Sequence, residues 1–264
     1  MTDTPWHLKN YKNNLTAKGR VIPVVEKQLI KEQLSSTRDT LHLHPSEICK
    51  KDWCPRSSWY TIKGYEKQDE SFTFQKLNIF AEGHAIHEKW QTWLTNAGVL
   101  EQAEVPILNE EYRLMGHADG IINDKKGRAI LEIKSVGAGT IRMEDYESFK
   151  SATSENEMWK KVRQPFPTHL RQLNLYMYCL GIHEGVFIYE WKPNQDVKEF
   201  SVRYQAELIE DILAGCQSVI RGLESGIPPM RPTLAESSTS RICKNCPYSK
   251  VCWKEDYIEQ STDS

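Results

Sequence analysis

The sequence predicts a single α/β domain that carries a metal-bound appendage. Segments with helical and strand-like patterns follow one another in the order helix, strands, helix, strands, helix, and no linker divides them. Three cysteines crowd into "CKNCPYSKVC" near the C-terminus, where their spacing is typical of a bound metal or metal cluster. These two observations predict the fold class.

The first half of the chain predicts two helices and three strands. A polar N-terminal region contains one plausible helix at about 24–34. Ser71 is a candidate N-cap for a longer helix that ends near Leu94, with an apolar stripe that includes Trp90 and Trp93. The strand candidates that follow are "VLEQAEVPIL", "YRLMGHADGII" and "RAILEIKS".

The second half begins with a polar, partly helical stretch at 141–163. Two prolines then precede the helix "THLRQLNLYMYCL", for which Thr168 is the expected N-cap and Gly181 the C′ residue. Two strands and an amphipathic helix come next: "GVFIYEW", "VKEFSVRY" and "AELIEDILAGCQSVIRGLESG".

Composition narrows the class of protein. Hydrophobic residues make up 39% and charged residues 27% of the 264 residues, which is normal for a globular protein. No apolar run approaches the length of a membrane-spanning helix, and the N-terminus has no signal-peptide core, so a cytoplasmic protein is expected. The net charge of −2 gives no global attraction to nucleic acid. A DNA partner would therefore need a local basic patch or metal ions.

The hairpin "GHADGIINDKKGRAILEIKS" places charges where a plain hairpin would prefer apolar residues. With a four-residue loop at 124–127, Asn123 pairs with Arg128, and Asp119 then lies opposite Glu132. Lys134 shares the face of Glu132 because side chains alternate along a strand. The three charges would thus meet on one side of the sheet, provided that the register holds.

Two adjacent carboxylates repel each other unless a cation joins them. Mg²⁺ binds one or two carboxylates together with water and substrate phosphate oxygens, which suits metal-assisted hydrolysis of a phosphodiester. An exposed, salt-bridged hairpin face explains the hairpin alone equally well.

Two helices carry paired residues four apart. Gly83 and His87 lie on one face of the first long helix, and Gln172 and Tyr176 lie on one face of the later one. Taken alone, each pair is compatible with ordinary surface or core positions.

The cysteines form C-x2-C-x5-C, with Cys243, Cys246 and Cys252. Three thiolates leave one ligand position open, for which Cys54 in "CPR" is the favoured candidate and Cys49 its rival. Thiolates bind both zinc and [4Fe–4S] clusters, and the spacing does not choose between them. The two other cysteines, Cys179 and Cys216, are predicted to be packed thiols.

Asp119, followed by Glu132-Ile133-Lys134, resembles the D…(D/E)xK signature of the PD-(D/E)XK nuclease superfamily, with Ala118 in place of the usual proline. The two helical pairs are similar to the GxxxH and QxxxY motifs of RecB-type nucleases, and all four motifs stand in the family order. The resemblance implies a restriction-endonuclease-like core, a central mixed β-sheet flanked by helices.

The resemblance also implies roles for these residues. Asp119 and Glu132 would bind Mg²⁺ or Mn²⁺, and Lys134 would act on the attacking water. The further metal ligands would be His87 and the backbone carbonyl of Ile133. Gln172 and Tyr176 would orient the substrate.

The cysteine arrangement resembles that of the fourth CRISPR-associated protein family and of AddB-type helicase–nucleases. In these proteins one upstream and three downstream cysteines hold a [4Fe–4S] cluster. The resemblance implies that Cys54, Cys243, Cys246 and Cys252 do so here. The expected organisation is a helical, polar extension at 1–44, a nuclease domain with its cluster module at 45–256, and a disordered tail at 257–264.

The resemblance favours an exonuclease acting on single-stranded DNA ends, in partnership with CRISPR adaptation or phage recombination proteins. Basic residues near the second helical motif are candidate phosphate contacts: Lys160, Lys161, Arg163 and Arg171. A solvated basic face is the alternative for them. A DNA-binding protein that does not cut, and a structure-specific endonuclease, are the rival functions.

Overall fold

A computed structural model of the protein describes residues 19–35, 39–68 and 73–254. The chain divides into two compact units: 1–38 with 71–81, and 39–70 with 82–264. The predicted tail at 257–264 and the predicted cap Ser71 lie outside the described residues. Within the described residues, no helix is both long enough and apolar enough to cross a membrane.

The longer helices follow the predicted order, and the short helices at Pro45–Ile48, Pro55–Ile62 and Arg241–Lys244 were not predicted. In the first unit α1 covers Ile22–Ser35, and α4 begins there and continues into the second unit. The remaining helices belong to the second unit. In chain order the helices after α1 are α2 (Pro45–Ile48), α3 (Pro55–Ile62), α4 (Phe74–Asn96), α5 (Ala138–Phe149), α6 (Glu155–Lys161), α7 (Pro167–Leu180), α8 (Glu210–Ser225) and α9 (Arg241–Lys244).

The second unit is built on a five-stranded mixed sheet with strand order β1-β2-β3-β4-β5. Strands β3 and β4 are parallel, and every other neighbouring pair is antiparallel. Parallel neighbours need a long crossover, which α5, α6 and α7 supply. The α/β class with a central mixed sheet is therefore confirmed. The strands are β1 (Leu100–Asn109), β2 (Leu114–Asp124), β3 (Gly127–Val136), β4 (Glu184–Trp191) and β5 (Val197–Arg203).

The two faces of the sheet have separate cores. On one face, residues of β3 and β4 such as Ile130 and Phe187 pack with side chains of α5, α6 and α7, including Leu173. On the other face, Leu131 and Ile133 pack with Ile86 of α4. Alternation along β3 therefore directs Glu132 and Lys134 to the face that α7 covers.

The hairpin register is as predicted, because Asn123 pairs with Arg128. Asp124 and Gly127 are also paired, so the loop consists of only Lys125 and Lys126 and is shorter than expected. Gly127 has a φ of 106°, which a side chain would disfavour. The paired ladder ends at Gly120 and Leu131, immediately before Asp119 and Glu132.

Two details of the helices differ from expectation. Helix α7 begins at Pro167, with Phe166 as N-cap, so Thr168 lies inside its first turn. Proline favours the first helical position because it has no N–H to satisfy. Gly181 ends the helix in the left-handed conformation, as predicted. In α4, Trp90 packs on the sheet, but Trp93 is 53% exposed and does not continue the apolar stripe.

Candidate active site

Asp119 is held between two elements at the point where β2 and β3 part. Its Oδ2 accepts a hydrogen bond of 2.6 Å from the backbone N–H of Ile133. Its Oδ1 lies 3.3 Å from Nδ1 of His87 on α4. The amide of Gln91, one turn further along α4, donates to the carbonyl of Asp119 over 2.9 Å. The carboxylate is thus fixed by β3 on one side and by α4 on the other.

Glu132 is the most deeply buried charged residue of the site, with 1% exposure. Its Oε1 lies 2.5 Å from Nζ of Lys134, and its Oε2 is buried without a hydrogen-bond partner among the described residues. Burial, reinforced by the charge of Asp119, raises the pKa of Glu132 to about 7, although Lys134 works in the opposite direction. A buried carboxylate oxygen of this kind is costly unless a cation or donor meets it.

Lys134 connects β3 to α7. Its Nζ donates to Oε1 of Gln172 over 3.2 Å, and Nε2 of Gln172 donates to Oη of Tyr176 over 2.7 Å. Burial works to lower the pKa of Lys134, but the charges of Glu132 and Asp119 outweigh it and raise that pKa. Burial also raises the pKa of Tyr176 well above its ordinary value. The structure therefore brings both predicted α7 residues into one chain of contacts with Glu132.

His87 occupies the opposite side of Asp119. Burial works to lower its pKa, but the hydrogen bond and charge of Asp119 raise it. Gly83 lies one turn earlier on α4, and an added Cβ there would meet Oγ of Ser135 only at 3.9 Å. Packing within the described residues therefore does not require glycine at this position.

The four predicted basic contacts have different surroundings. Lys160 and Arg163 are exposed. Nζ of Lys161 lies 3.3 Å from a carboxylate oxygen of Glu157. Arg171 forms a 2.5 Å ion pair with Asp211 of α8. The ion pairs of Lys161 and Arg171 compete with any contact to phosphate.

Four of the cysteines line one pocket, and two of these four, Cys246 and Cys252, also belong to or pack against the apolar cluster that holds the others. This pocket is lined by Cys54, Cys243, Cys246 and Cys252, although about 190 residues separate the first from the others. Cys49, the rival of Cys54, is fully buried in an apolar cluster, and so is Cys216. Cys179 is partly buried and packs against the same cluster. Burial raises the pKa of Cys54 to about 11 and also raises the pKa of Cys246.

Direct contacts join the two segments that supply these cysteines. The ring of Tyr60 stacks on that of Tyr248 with centroids 5.5 Å apart, and the backbone N–H of Gln68 donates to the carbonyl of Pro247 over 3.1 Å. Nε of Arg231 donates to Sγ of Cys252 over 3.3 Å. The segment around Cys54 and the C-terminal segment therefore contact each other directly, in addition to lining a common pocket.

Residues 19–35, 39–68 and 73–254 contain no group of three or more His, Cys, Asp or Glu side chains with the spacing of a metal site. The chemical types of the donors nevertheless correspond to two kinds of metal. Asp119 and Glu132 offer the hard carboxylate oxygens that Mg²⁺ and Mn²⁺ prefer, and Oε2 of Glu132 needs a partner. The four thiols around one pocket suit zinc or an iron–sulfur cluster.

Sequence reasoning missed His169 and Tyr189. His169 lies one helical turn before Gln172, and its Nδ1 lies 2.5 Å from Oη of Tyr189 on β4. The helical spacing of His169 was a signal that the sequence offered. The position of Tyr189 beside Lys134 depends on the parallel β3–β4 pairing, for which the sequence has no local signal.

No protein-family model and no curated protein matches this sequence. Among solved structures, the crystal structure of SSO0001 matches with a TM-score of 0.50 and 18% identity, over 89% of this chain and 98% of that one. This is a similarity of fold. Two weaker matches cover 70% of this chain. One is an alkaline exonuclease, LHK-Exo, from Laribacter hongkongensis (TM-score 0.47, 14% identity, 89% of that chain). The other is a phage-related exonuclease from Haemophilus somnus 129PT (TM-score 0.42, 15% identity, 96% of that chain).

Proposed function

We propose that this protein is a metal-dependent DNA nuclease of the PD-(D/E)XK type, with Asp119, Glu132 and Lys134 at its hydrolytic centre. The observation that carries the proposal is the burial of Glu132, whose Oε2 has no partner among the described residues while Lys134 and Asp119 lie beside it. Strongly perturbed carboxylates of this kind concentrate at functional sites.

The alternative of an exposed, salt-bridged hairpin face predicts charges that water solvates. Here the side chain of Glu132 is 1% exposed and that of Lys134 is 20% exposed, and α7 covers both. Burying a charged pair costs free energy that a surface pair avoids. The arrangement therefore supports a functional site rather than a solvent-exposed salt bridge.

Each residue has a distinct task in the proposed reaction. Bound Mg²⁺ or Mn²⁺ would polarise the phosphate and lower the pKa of the attacking water. Asp119 and Glu132 would hold that ion, with His87 and the carbonyl of Ile133 as further ligands by family resemblance. The Nζ group of Lys134 positions or activates the water, or stabilises the charge that develops on the phosphate.

The residues of α7 support this centre from the side. Gln172 accepts a hydrogen bond from Lys134 and donates one to Tyr176, so it fixes the direction of the lysine side chain. We assign both residues to positioning of Lys134 and of the bound strand. Lys160 and Arg163 are exposed and suit phosphate contacts, whereas Lys161 and Arg171 would first have to leave their ion pairs.

We further propose that the pocket lined by the four cysteines holds a [4Fe–4S] cluster, with zinc as the alternative. The cluster would join the segment around Cys54 to the C-terminal segment within a nuclease domain at 45–256. The substrate preference, single-stranded DNA ends, and the setting, CRISPR adaptation or phage recombination, follow from the family resemblance alone.

One experiment tests the nuclease. The protein is purified without oxygen and assayed with Mn²⁺ on linear single-stranded, linear double-stranded and circular DNA, beside Lys134→Ala and Glu132→Gln. Both variants should lose most of the activity. A matched control is the exposed ion pair between Glu147 of α5 and Lys150, the residue that follows this helix, and Lys150→Ala and Glu147→Gln should cut as the parent does.

The outcomes separate the rival functions. Equal cutting by Lys134→Ala and the parent would remove the active-site assignment. Cutting of circular DNA would show an endonuclease rather than an exonuclease. Binding without any cutting would favour the DNA-binding protein.

A further inference from the structure

His169 stands in line with the two residues of α7 that the proposed centre already uses. Spacings of three and four residues place His169, Gln172 and Tyr176 on one face of the helix. Burial, with a smaller contribution from the positive charge of Lys134, lowers the pKa of His169 well below its ordinary value. The imidazole is therefore an uncharged neighbour of Lys134.

The hydrogen bonds around His169 favour one of its two neutral tautomers. The backbone N–H of Phe166 donates to Oη of Tyr189 over 3.0 Å, so this hydroxyl oxygen already serves as an acceptor. Within the described residues, the acceptor within reach of the Tyr189 hydroxyl proton is Nδ1 of His169, 2.5 Å away. In the tautomer that satisfies this hydroxyl proton, Tyr189 donates to Nδ1 and the imidazole proton resides on Nε2.

The Nε2 atom has no hydrogen-bond partner in the described part of the chain, and it is not among the buried atoms that lack one. His169 as a whole is partly exposed, and its Nε2 is thus a donor that no protein group among the described residues occupies. The aromatic rings of Phe166 and Tyr189 pack edge-on against the imidazole and hold its plane, with centroids 5.6 and 5.4 Å away.

We propose that His169 is a substrate-binding residue that donates its Nε2–H to a non-bridging phosphate oxygen of the bound DNA strand, beside Lys134. This inference rests on the proposed nuclease function. A neutral donor suits this position because a second cation beside Lys134 would be repelled by it. Tyr189 and Phe166 act as positioning residues that keep the Nε2–H directed outward.

The alternative hypothesis is that His169 has only a structural role, in which its contact with Tyr189 holds α7 against β4. In both hypotheses Nδ1 contacts Tyr189, but only the proposed one gives Nε2 a role in binding DNA. Two amide variants therefore separate them. His169→Asn can keep an acceptor near the Nδ1 position but has nothing at Nε2. His169→Gln can place an amide N–H near the Nε2 position.

The affinity for a labelled single-stranded oligonucleotide is measured by fluorescence anisotropy in EDTA, and KM and kcat are measured with Mn²⁺. His169→Asn should weaken binding and raise KM by roughly tenfold, the size of one hydrogen bond to a charged group, with kcat changed much less. His169→Gln should recover most of the affinity. The control is His183→Asn, because His183 is exposed and stacks on Tyr204 away from the site.

Tyr189→Phe gives a second test that leaves the histidine in place. Without the Tyr189 hydroxyl the proton is free to move to Nδ1, so KM should rise by roughly threefold. Parental KM values in both His169→Asn and Tyr189→Phe would overturn the inference while the nuclease stands. Equal loss of affinity in His169→Gln and His169→Asn, together with equal loss of thermal stability, would also overturn it. If the parent neither binds nor cuts DNA, the inference and the proposed function fall together.

Discussion

The backbone N–H of Ile133 donates to Oδ2 of Asp119 over 2.6 Å, across the point where the paired ladder of β2 and β3 has ended. A side-chain carboxylate thus takes the place of a backbone carbonyl as the acceptor for a strand N–H. Since Ile133 is fully buried, this bond satisfies a donor that water cannot reach. It also leaves Oδ1 of Asp119 directed toward His87.

Two substitutions of Asp119 should separate its structural role from its chemical one. In Asp119→Asn the amide oxygen can still accept from Ile133, so the fold should survive while hydrolysis falls on the order of a hundredfold or more. Asp119→Ala leaves the buried N–H of Ile133 without an acceptor and should lower the free energy of unfolding by about 1–3 kcal/mol. Urea unfolding and an Mn²⁺-dependent DNA assay measure the two effects. Equal stability of the alanine and asparagine variants would show that the bond contributes nothing.

The raised pKa of Glu132 predicts how stability without metal depends on pH. The folded protein holds this proton up to a pH of about 7, against an ordinary value of 4.5 for the unfolded chain. The stabilising contribution is therefore complete below about pH 4.5 and is lost as the pH rises through 7. Between pH 5 and 8 the loss should amount to about 1–3 kcal/mol.

Urea unfolding in EDTA at a series of pH values measures this loss, with Glu132→Gln as the comparison. The variant cannot ionise at this position, so its stability should fall less over the same range. His87, whose pKa is raised chiefly by Asp119 against the effect of burial, acts in the same direction in both proteins, and the charge of Glu132 contributes least to that shift. Mn²⁺ should raise the stability of the parent at pH 8 more than that of the variant. Parallel pH profiles in EDTA would exclude Glu132 as the source.

The choice between Cys54 and Cys49 as the fourth thiol ligand gives a further prediction. Cys54→Ser should lose bound metal because Cys54 lines the pocket of the C-terminal cysteines. Cys49→Ser should keep its metal but lose about 1–3 kcal/mol of stability, since a hydroxyl would be buried in an apolar cluster. Iron, sulfide and zinc are measured per chain after purification without oxygen. Retention of metal by Cys54→Ser and its loss from Cys49→Ser would reverse the assignment.

Local patterns were sufficient to predict the five strands, the longer helices and the hairpin register. The strand period of two and the turn residues place Asn123 opposite Arg128, and this pairing decides which charges share a face. Helical spacing likewise predicts that Gln172 and Tyr176 lie together, and the structure adds the hydrogen bond between them and the one that Lys134 donates to Gln172. These relationships involve neighbours along one strand, one hairpin or one helix.

Relationships between distant segments could not be predicted in this way. Glu190 of β4 is buried against Lys89 and Trp90 of α4, about a hundred residues earlier, at 2.5 and 2.6 Å. The bond between His169 and Tyr189 similarly depends on which strand lies beside β3. Strand order is a property of the whole sheet, and each of these side chains has an ordinary local context. Cys54 and the three C-terminal cysteines line one pocket although they are far apart in the chain, and only the "CPR" context and the family resemblance had favoured Cys54 as their partner.

The close packing of α7 on β4 predicts that a small change outside the site will disturb it. A Cβ added at Gly185 would lie 2.8 Å from Cδ2 and 3.1 Å from Cγ of Leu173, which is next to Gln172 on α7. Gly185→Ala should therefore cost about 1–3 kcal/mol of stability and displace the helix that holds Lys134 in position, so that DNA hydrolysis falls with it. Gly139→Ala is the matched control, because an added Cβ there meets nothing within 4 Å. Thermal unfolding and kcat are measured for both variants. If Gly185→Ala lowers stability but leaves kcat unchanged, the position of α7 does not govern the reaction, and Gln172 does not act by positioning Lys134.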